Sequence, residues 1–358
     1  MSDQPQPEPI ELLRTKAKNL EWNMDSLRRK TSLSDVLDTV GRIDSRLTEL
    51  PGAVTRLRAR GYVFKSYLEA DVAAAQTDWP SVRPRLLIEA DQQRAMLTAK
   101  MDELQQRFTD ARIAIDSDMA RAEGELNAVE ATMQGLDRSA GAVVSTLQGM
   151  YNTVQTRLNK IDADIRNVDG ILNQVDQASF KLYPEENIID TMEGQWLTDQ
   201  KGGPKGVLFC TDHRLIFEQK EEIATKRVLF VVTEKKKVQQ VAFEAPIGSV
   251  EQVKESESGA LLFRKDHLEL VFGAQSKIRS AHLILKGDSA EWQRLINRVN
   301  AGEIEHERVK AEGEQKAESK PMQIPSQCPA CGARFTQEIV RGMNSVKCQF
   351  CGTVTPLQ

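Results

Sequence analysis

The clearest chemistry in this chain lies in four cysteines set in two close pairs, Cys328-Pro329-Ala330-Cys331-Gly332 and Cys348-Gln349-Phe350-Cys351-Gly352. Two thiolates separated by two residues can reach one tetrahedral ion, and a second such pair completes a four-sulfur shell. Sixteen residues separate Cys331 from Cys348, a spacing that suits a single zinc site shared by both pairs. Gly332 and Gly352 follow each second cysteine, where a tight turn favours a residue that accepts positive φ. Arg334 and Lys347 offset the surplus negative charge of four thiolates around a divalent ion. A closed sulfur shell has no open position for water, so the predicted Zn2+ is structural rather than catalytic. An iron–sulfur or redox role is the alternative, for which no other feature of the sequence speaks. A stretch of about thirty residues has too little core to fold without the metal.

The other reactive side chains are weaker candidates. Cys210 sits in an apolar run and reads as a small buried hydrophobe. Asp212, His213 and Arg214 resemble a catalytic set only on paper, because they occupy a predicted hairpin turn. No motif places a serine or cysteine nucleophile beside a histidine, and His213, His267, His282 and His306 show no metal-ligand spacing. Gly202-Gly203-Pro204-Lys205-Gly206 lacks the ending of a phosphate loop and leads into a strand. The sequence therefore predicts no catalytic residues and no enzyme. Lys201, Lys205 and Lys235-Lys236-Lys237 fall in predicted loops and could meet an anionic surface. Glu218, Glu221, Glu222 and Glu234 oppose this, and a solvated edge is the competing reading. Arg56, Arg58 and Arg60 beside Tyr62 and Phe64 read as a solvated helix face next to core residues rather than an anion site.

The elements that must carry these groups begin with helices. The 358 residues include 28% charged and only 5% aromatic side chains, with a net charge of -4, which fits long helices joined to small domains better than one large globule. Apolar residues step by three and four through Leu97, Met101, Leu104, Phe108, Met119, Ala122, Leu126, Val129, Met133, Leu136, Ala140, Val143 and Leu147. They resume through Val154, Leu158, Ile161, Ile165, Val168, Leu172 and Val175, which describes a coiled-coil seam. Ala111-Ile115-Met119 and Met150-Val154-Leu158 each take two steps of four, predicted to unwind the supercoil without ending the helix. A second seam runs Leu33, Val36, Val40, Ile43, Leu47, Leu50, Val54, Leu57, with Pro51 predicted to kink or split it at Leu50. Pro80 and Pro84 predict a turn over residues 79–84. The expected arrangement is a helical hairpin of residues 11–78 and 85–180. Its first arm is too short to cover the long seam, so the remainder predicts a homo-oligomer.

From residue 187 to 285 the pattern changes to short β-branched and aromatic runs, with candidate strands at 206–211, 214–217, 227–232, 238–243, 249–253, 260–264, 267–272 and 282–285. Asp288-Ser289-Ala290-Glu291 has capping-box spacing and opens a helix carrying Trp292, Leu295, Ile296 and Val299 on one face. Many antiparallel strands closed by one helix predict a small barrel with that helix plugging one end. Tyr183-Pro184-Glu185-Glu186, Gly194-Gln195-Trp196 and the run from Gly206 through Asp212-His213-Arg214 to Phe217 resemble the opening of bacterial PH-like or GRAM-like domains. The closing helix with Trp292 is similar as well. The resemblance covers about a third of the chain and implies binding, to membrane lipid, to peptide or to copies of itself, without catalysis. The C-terminal cysteine pairs resemble a CPxCG-type zinc ribbon, and such ribbons serve in protein docking or nucleic-acid recognition. Arg334, Arg341 and Lys347 make a thin footprint for phosphate, so protein docking is the preferred expectation. Phe335 and Phe350 are expected to pack on the knuckles.

The resulting fold class is multidomain α + β. Residues 1–10 form a disordered tail, 181–302 the PH-like domain, 303–326 a charged helix extension and linker, and 327–358 the zinc ribbon. The expected function is a non-enzymatic oligomeric scaffold or adaptor with a protein partner; the alternative is a nucleic-acid-associated regulatory factor using the ribbon. No apolar run reaches the length of a membrane span, the start lacks the pattern of a signal peptide, and paired cysteines suit a reduced compartment. The expected location is cytoplasmic, with peripheral contact at the inner face of the membrane as an option.

Overall fold

The computed structural model describes residues 8–198, 202–228, 231–259, 264–309, 325–343 and 345–357, and side chains at 223–228 and 231–235 are not included. The predicted tail at 1–10 and linker at 303–326 lie largely outside these residues. Four helices, α1 (Pro9–Thr31), α2 (Ser34–Ala59), α3 (Tyr67–Ala114) and α4 (Met119–Asp176), precede the strands. The chain divides into two compact units, residues 1–52 with 69–162, and residues 53–68 with 163–358.

The four helices of the first unit pack as three rods, α1 and α2 following one another along α4 while α3 runs the other way. Salt bridges from Lys16 to Glu130 and from Lys30 to Asp137 set α1 alongside α4 in the same direction. The hydrogen bond from Arg28 to Gln105 and the ion pair of Arg112 with Glu21 set α3 against α1 in the opposite one. Trp79 and Arg83 of α3 both donate to Asp44 of α2, at 2.6 and 2.9–3.0 Å. Arg157 of α4 pairs with Asp78. The seam is covered inside one chain: Leu104, Ala122, Leu126, Leu147, Leu158 and Ile161 are all buried, while Met119 is exposed. This corrects the two-arm hairpin, and among the described residues most of the stripe from which a homo-oligomer is expected is covered within the chain.

Three boundaries differ from expectation for identifiable reasons. Pro51, Pro80 and Pro84 lie inside helices. Pro51 supplies no N–H to the carbonyl of Leu47, four residues earlier, and Gln76 Nε2 donates to that carbonyl instead, at 3.2 Å. Around Pro80 and Pro84, the bonds of Trp79, Arg83 and Asp78 to neighbouring helices hold the segment helical against its local preference. The turn falls instead at residues 60–66. There Arg58 donates to the carbonyls of Tyr62, Phe64 and Lys65 at 2.8, 2.7 and 3.2 Å, and Arg60 pairs with Asp169 and Asp176. The Ala111-Ile115-Met119 irregularity does end a helix, because Asp118 caps α4 by accepting from the Arg121 N–H at 3.1 Å.

In the second unit, seven strands form one antiparallel sheet: β1 (Ile188–Trp196), β2 (Lys205–Thr211), β3 (Arg214–Val228), β4 (Val231–Pro246), β5 (Val250–Ser258), β6 (Lys265–Phe272) and β7 (Ser280–Leu285). The order is β4-β3-β2-β1-β7-β6-β5. The predicted barrel is therefore not closed. β4 and β5 are the edges, separated by the short turn Ile247–Ser249 that follows Pro246. The helix α5 (Ser289–Asn300) lies against β5 and β6, with Gln293 and Asn300 donating to carbonyls of β5 at 2.8 and 3.0 Å. Asp288 caps it, accepting from Ala290 and Glu291 N–H at 2.8 and 3.1 Å.

The sheet turns sharply where β1 passes from β2 to β7. Gly194 pairs with both Gly206 and Leu285. A Cβ at Gly206 would stand 1.9 Å from the Glu218 carbonyl oxygen, so only glycine admits the approach. Of the candidate strand 227–232, residues 227–228 end β3 and 231–232 begin β4, with 229–230 outside the described residues; 238–243 lies within β4, β1 is not among the candidates, and residues 260–263 of another candidate also lie outside the described residues. Two short strands, β8 (Ser345–Lys347) and β9 (Val354–Pro356), pair with each other near the C-terminus.

Candidate metal centre

The two cysteine pairs sit on knuckles with the same backbone pattern. Cys328 N–H donates to the Ala333 carbonyl and Cys348 N–H to that of Thr353, both at 2.8 Å. Gly332 N–H returns to Cys328 at 2.8 Å and Gly352 N–H to Cys348 at 3.0 Å. Both glycines have positive φ, 72° and 76°. Strands β8 and β9 flank the second knuckle, while a single bridge between Gln327 and Arg334 closes the first.

All four sulfurs lie within 4.8 Å of one another, and this is the one such group among the described residues. Cys328 and Cys351 are 3.7 Å apart and Cys331 and Cys348 3.6 Å. Those lengths are far beyond a disulfide bond, and the cysteines are free. Four sulfurs at 2.3 Å from a tetrahedral ion would be about 3.8 Å apart. The group can therefore hold a metal ion. Cys351 is also bonded to Thr353 Oγ1 at 3.2 Å, and contacts with the Thr353 hydroxyl and N–H hold its thiol down to about 6. Phe350, at the tip of the second knuckle, is 71% exposed. It does not pack on the knuckle as expected, since Cys348 and Cys351, two residues before it and one after, turn their sulfurs towards the shared cluster.

The segment between the knuckles rests on the sheet. Gly248 N–H donates to the Arg341 carbonyl at 2.9 Å. Arg341 Nε donates to the Asp212 carbonyl at 3.1 Å and its Nη2 to Glu305 at 2.6 Å. Gly342 has φ 89°, and a Cβ there would be 1.6 Å from the His213 carbonyl oxygen. On the sheet side, Arg308 Nη2 donates to Asp212 Oδ2 at 2.7 Å and its Nε to Glu305 at 2.6 Å. Asn187 N–H and His213 Nδ1 bond to Asp212 Oδ1 at 2.9 and 2.7 Å. Burial pushes the Asp212 carboxyl up, but the bonds from His213 and Asn187 outweigh it and hold it below the usual range. The same bond raises His213 against its own burial.

Arg214 next door serves the core. Its Nε and Nη2 donate to the two oxygens of Glu186 at 2.9 and 3.0 Å, Nη1 donates to Glu244 at 2.6 Å, and the guanidinium lies 3.8 Å from the centre of the Tyr183 ring. Tyr183, Glu186 and Arg214, which carried the resemblance, thus form one buried ionic knot.

Residues 174–279 match the GRAM domain family. The match runs from the end of α4 through β6 and takes in the ionic knot, but covers less than a third of the chain. No curated protein matches the chain. Solved structures similar to it include the DH/PH domains of p115-RhoGEF, at 13% identity and TM-score 0.26, covering 83% of this chain and 95% of that one. Another is the DH/PH domain of human ARHGEF11 in a ternary complex with human RhoA and its inhibitor, at 10% identity and TM-score 0.27, covering 83% and 96%. Likenesses this slight carry no argument about the chain.

The GRAM-matching region also locates the lysines. Lys235, Lys236 and Lys237 lie within β4 rather than in a turn, facing Ala224, Ile223 and Glu222 across the hairpin. Alternation sends the side chains of Lys236 and Lys237 to opposite faces, while that of Lys235 lies outside the described residues. Lys236 and Lys237 are exposed. Lys205 lines a cavity of about 470 Å³ with Lys220, Lys286, Glu193 and Glu221; Lys201 lies outside the described residues. No helix among the described residues is long and apolar enough to cross a membrane.

Three groups escaped sequence reasoning. Arg341 and Glu305 are drawn together across 36 residues, and only the Arg341-Gly342 dipeptide hints at a fitted turn. His267 Nδ1 and His282 Nε2 meet at 2.9 Å across β6 and β7, with Ser258 Oγ 2.6 Å from His267 Nε2; register, not spacing, brings them together. Glu218 is fully buried, with Oε1 accepting from Ser179 N–H at 2.5 Å and Oε2 without a partner among the described residues.

Proposed function

We propose that this chain is a non-enzymatic adaptor, whose GRAM-matching domain is a binding module for a protein partner and whose four cysteines hold a structural zinc ion. The observation that carries the reading is the use made of Asp212 and His213. This one acid–base pair near the candidate centre is spent on Asn187 and Arg308, and its backbone receives Arg341 and Gly342. A post for packing is what the pair supplies, and the hydroxyl bonded to its backbone, Thr211 Oγ1, is itself engaged by Glu186 at 2.8 Å and by the N–H groups of His213 and Arg214 at 3.1 and 2.8 Å. The sulfur separations support one ion rather than a multi-iron cluster, which would need a wider cage. Zinc takes four thiolates without redox chemistry, and with all four positions filled by protein it leaves none for substrate. The exposed Phe350 gives the ribbon an aromatic contact for a partner protein.

Two measurements on the full chain test this reading. Native mass spectrometry should find one zinc per chain, lost in Cys328→Ser with Cys351→Ser; a metal-free wild type would overturn the zinc assignment. Flotation with neutral vesicles and with vesicles containing anionic lipid should show no recovery. Salt-sensitive recovery on anionic vesicles alone would replace the protein partner with a membrane surface.

A further inference from the structure

We infer that metal binding at the four cysteines and docking of Arg341-Gly342 on the Asp212–His213 turn are one linked equilibrium, so that metal occupancy decides whether that end of the sheet is covered. The inference rests on the proposed metal site and goes beyond it, because it assigns the ribbon a surface on its own chain.

The docking groups lie between Cys331 and Cys348. Over residues 335–343 that segment contains no helix or strand, and its flanks are two knuckles and a three-residue strand. Among the described residues one exposed bond, from Thr336 Oγ1 to Gln349 Oε1 at 2.9 Å, also joins the two knuckles; the shared ion would bind all four sulfurs and so fix both ends of the loop that carries Arg341. An ordered loop is what the docking demands. The Arg341 side chain reaches the Asp212 carbonyl and Glu305 in two directions, while its own carbonyl accepts from Gly248 N–H. Gly342 must hold positive φ with no Cβ against His213. A disordered loop would have to pay the entropy of all these constraints at once.

The receiving surface is built without the ribbon. Asp212 is held by Asn187 and His213, and Arg308 joins Asp212 to Glu305. Gly248 lies in the turn Ile247–Ser249, which is anchored by the Ile247 N–H on the His213 carbonyl at 2.8 Å. The ribbon therefore meets a preformed seat offering one N–H, one carbonyl and one carboxylate oxygen. If the docked state needs the metal-folded loop, then linkage is reciprocal: whatever factor the metal adds to docking, docking adds to metal affinity.

The test uses the full chain. Zinc dissociation constants are measured by competition with a chelator for wild type, Arg341→Ala and Glu305→Gln, and amide hydrogen exchange at Gly248 is followed with and without zinc. Both variants should still bind one zinc, with affinity weakened by about tenfold, in the range usual for coupled sites. Gly248 should lose protection on zinc removal in wild type and be unprotected in Arg341→Ala even with zinc. Glu305→Gln acts from the sheet side, so a shift there cannot come from damage to the ribbon itself. Unchanged zinc affinity in both variants, or Gly248 protection indifferent to zinc, overturns the linkage while leaving the zinc site standing. Failure of wild type to bind zinc at all would instead sink the proposed metal site, and the linkage with it.

Discussion

Arg214 grips Glu186 through two parallel bonds at 2.9 and 3.0 Å, with side-chain exposures of only 7% and 0%. A planar guanidinium matched to a carboxylate is the geometry in which a buried pair recovers its desolvation cost. Glu244 and the Tyr183 hydroxyl accept from Nη1 at 2.6 and 3.1 Å, the carbonyl of Lys181 accepts from Nη2 at 3.0 Å, and the Tyr183 ring lies against the guanidinium. Removing Arg214 leaves Glu186 buried with only the Thr211 hydroxyl and the Tyr183 N–H, and removing Glu186 leaves Arg214 without its two-pronged partner. Arg214→Ala or Glu186→Ala should each cost about 3–5 kcal/mol, read from urea unfolding of the sheet. Arg214→Lys should recover little of this, since an ammonium can neither fork nor stack. A loss below about 1 kcal/mol in the alanine variants would show that the knot is not stabilised by pairing.

The bundle makes a second prediction, opposite to the one its seam invites. Leu158 and Ile161 are 4% and 0% exposed within a single chain. Leu158→Ala should therefore cost about 2–5 kcal/mol of bundle stability, with wild type and variant both scattering light as monomers at micromolar concentration. A wild-type oligomer that Leu158→Ala dissociates without loss of helix would restore the seam to an intermolecular role.

These cases show where the sequence was readable. Period and composition announced helices, strands and cysteine knuckles, because each depends on neighbours in the chain. Partner choice was not readable. Two helices at one seam and three around a core give the same stripe on α4, and only contacts such as Lys16 with Glu130 decide between them. Pro80 and Pro84 point locally to a turn, yet Asp44, far off in sequence, anchors both Trp79 and Arg83. The cap at Asp118 was not read, because the apolar steps continue across it. At the candidate site the grouping of the four cysteines was legible from spacing alone. The seat for Arg341 was not, being assembled from a β-turn, a 3-10 turn and the stretch after α5.

Histidine titration supplies a third prediction. His213 is raised above its ordinary 6.5, first by its bond to Asp212, so the folded state favours its charged form. That contribution to stability is complete below about pH 6.5 and is lost as pH rises through the folded value. His267 is lowered, first by burial and then by His282, so its contribution has the opposite sign. It is present above about pH 6.5 and lost as pH falls through the folded value. Ring-proton NMR should place the His213 midpoint above and the His267 midpoint below 6.5, and His213→Gln should flatten the alkaline loss of stability. A His213 midpoint at or below 6.5 would mean that Asp212 is not its partner in solution.

The bond from Gln76 to the Leu47 carbonyl allows the last prediction to be made as a cycle. In an unbroken helix that carbonyl would accept from the residue at position 51, and proline there has no N–H to give. Gln76 Nε2 reaches across from α3 at 3.2 Å to take the vacant place. Gln76→Ala should then cost about 1–3 kcal/mol, the usual penalty of an acceptor stripped of its partner. Pro51→Ala restores the local N–H, so in that background Gln76→Ala should cost markedly less. The two changes should couple by about 1 kcal/mol in denaturant unfolding of the four-variant cycle. Strict additivity would mean that water or another donor already serves Leu47, and that Pro51 is accommodated without help from α3.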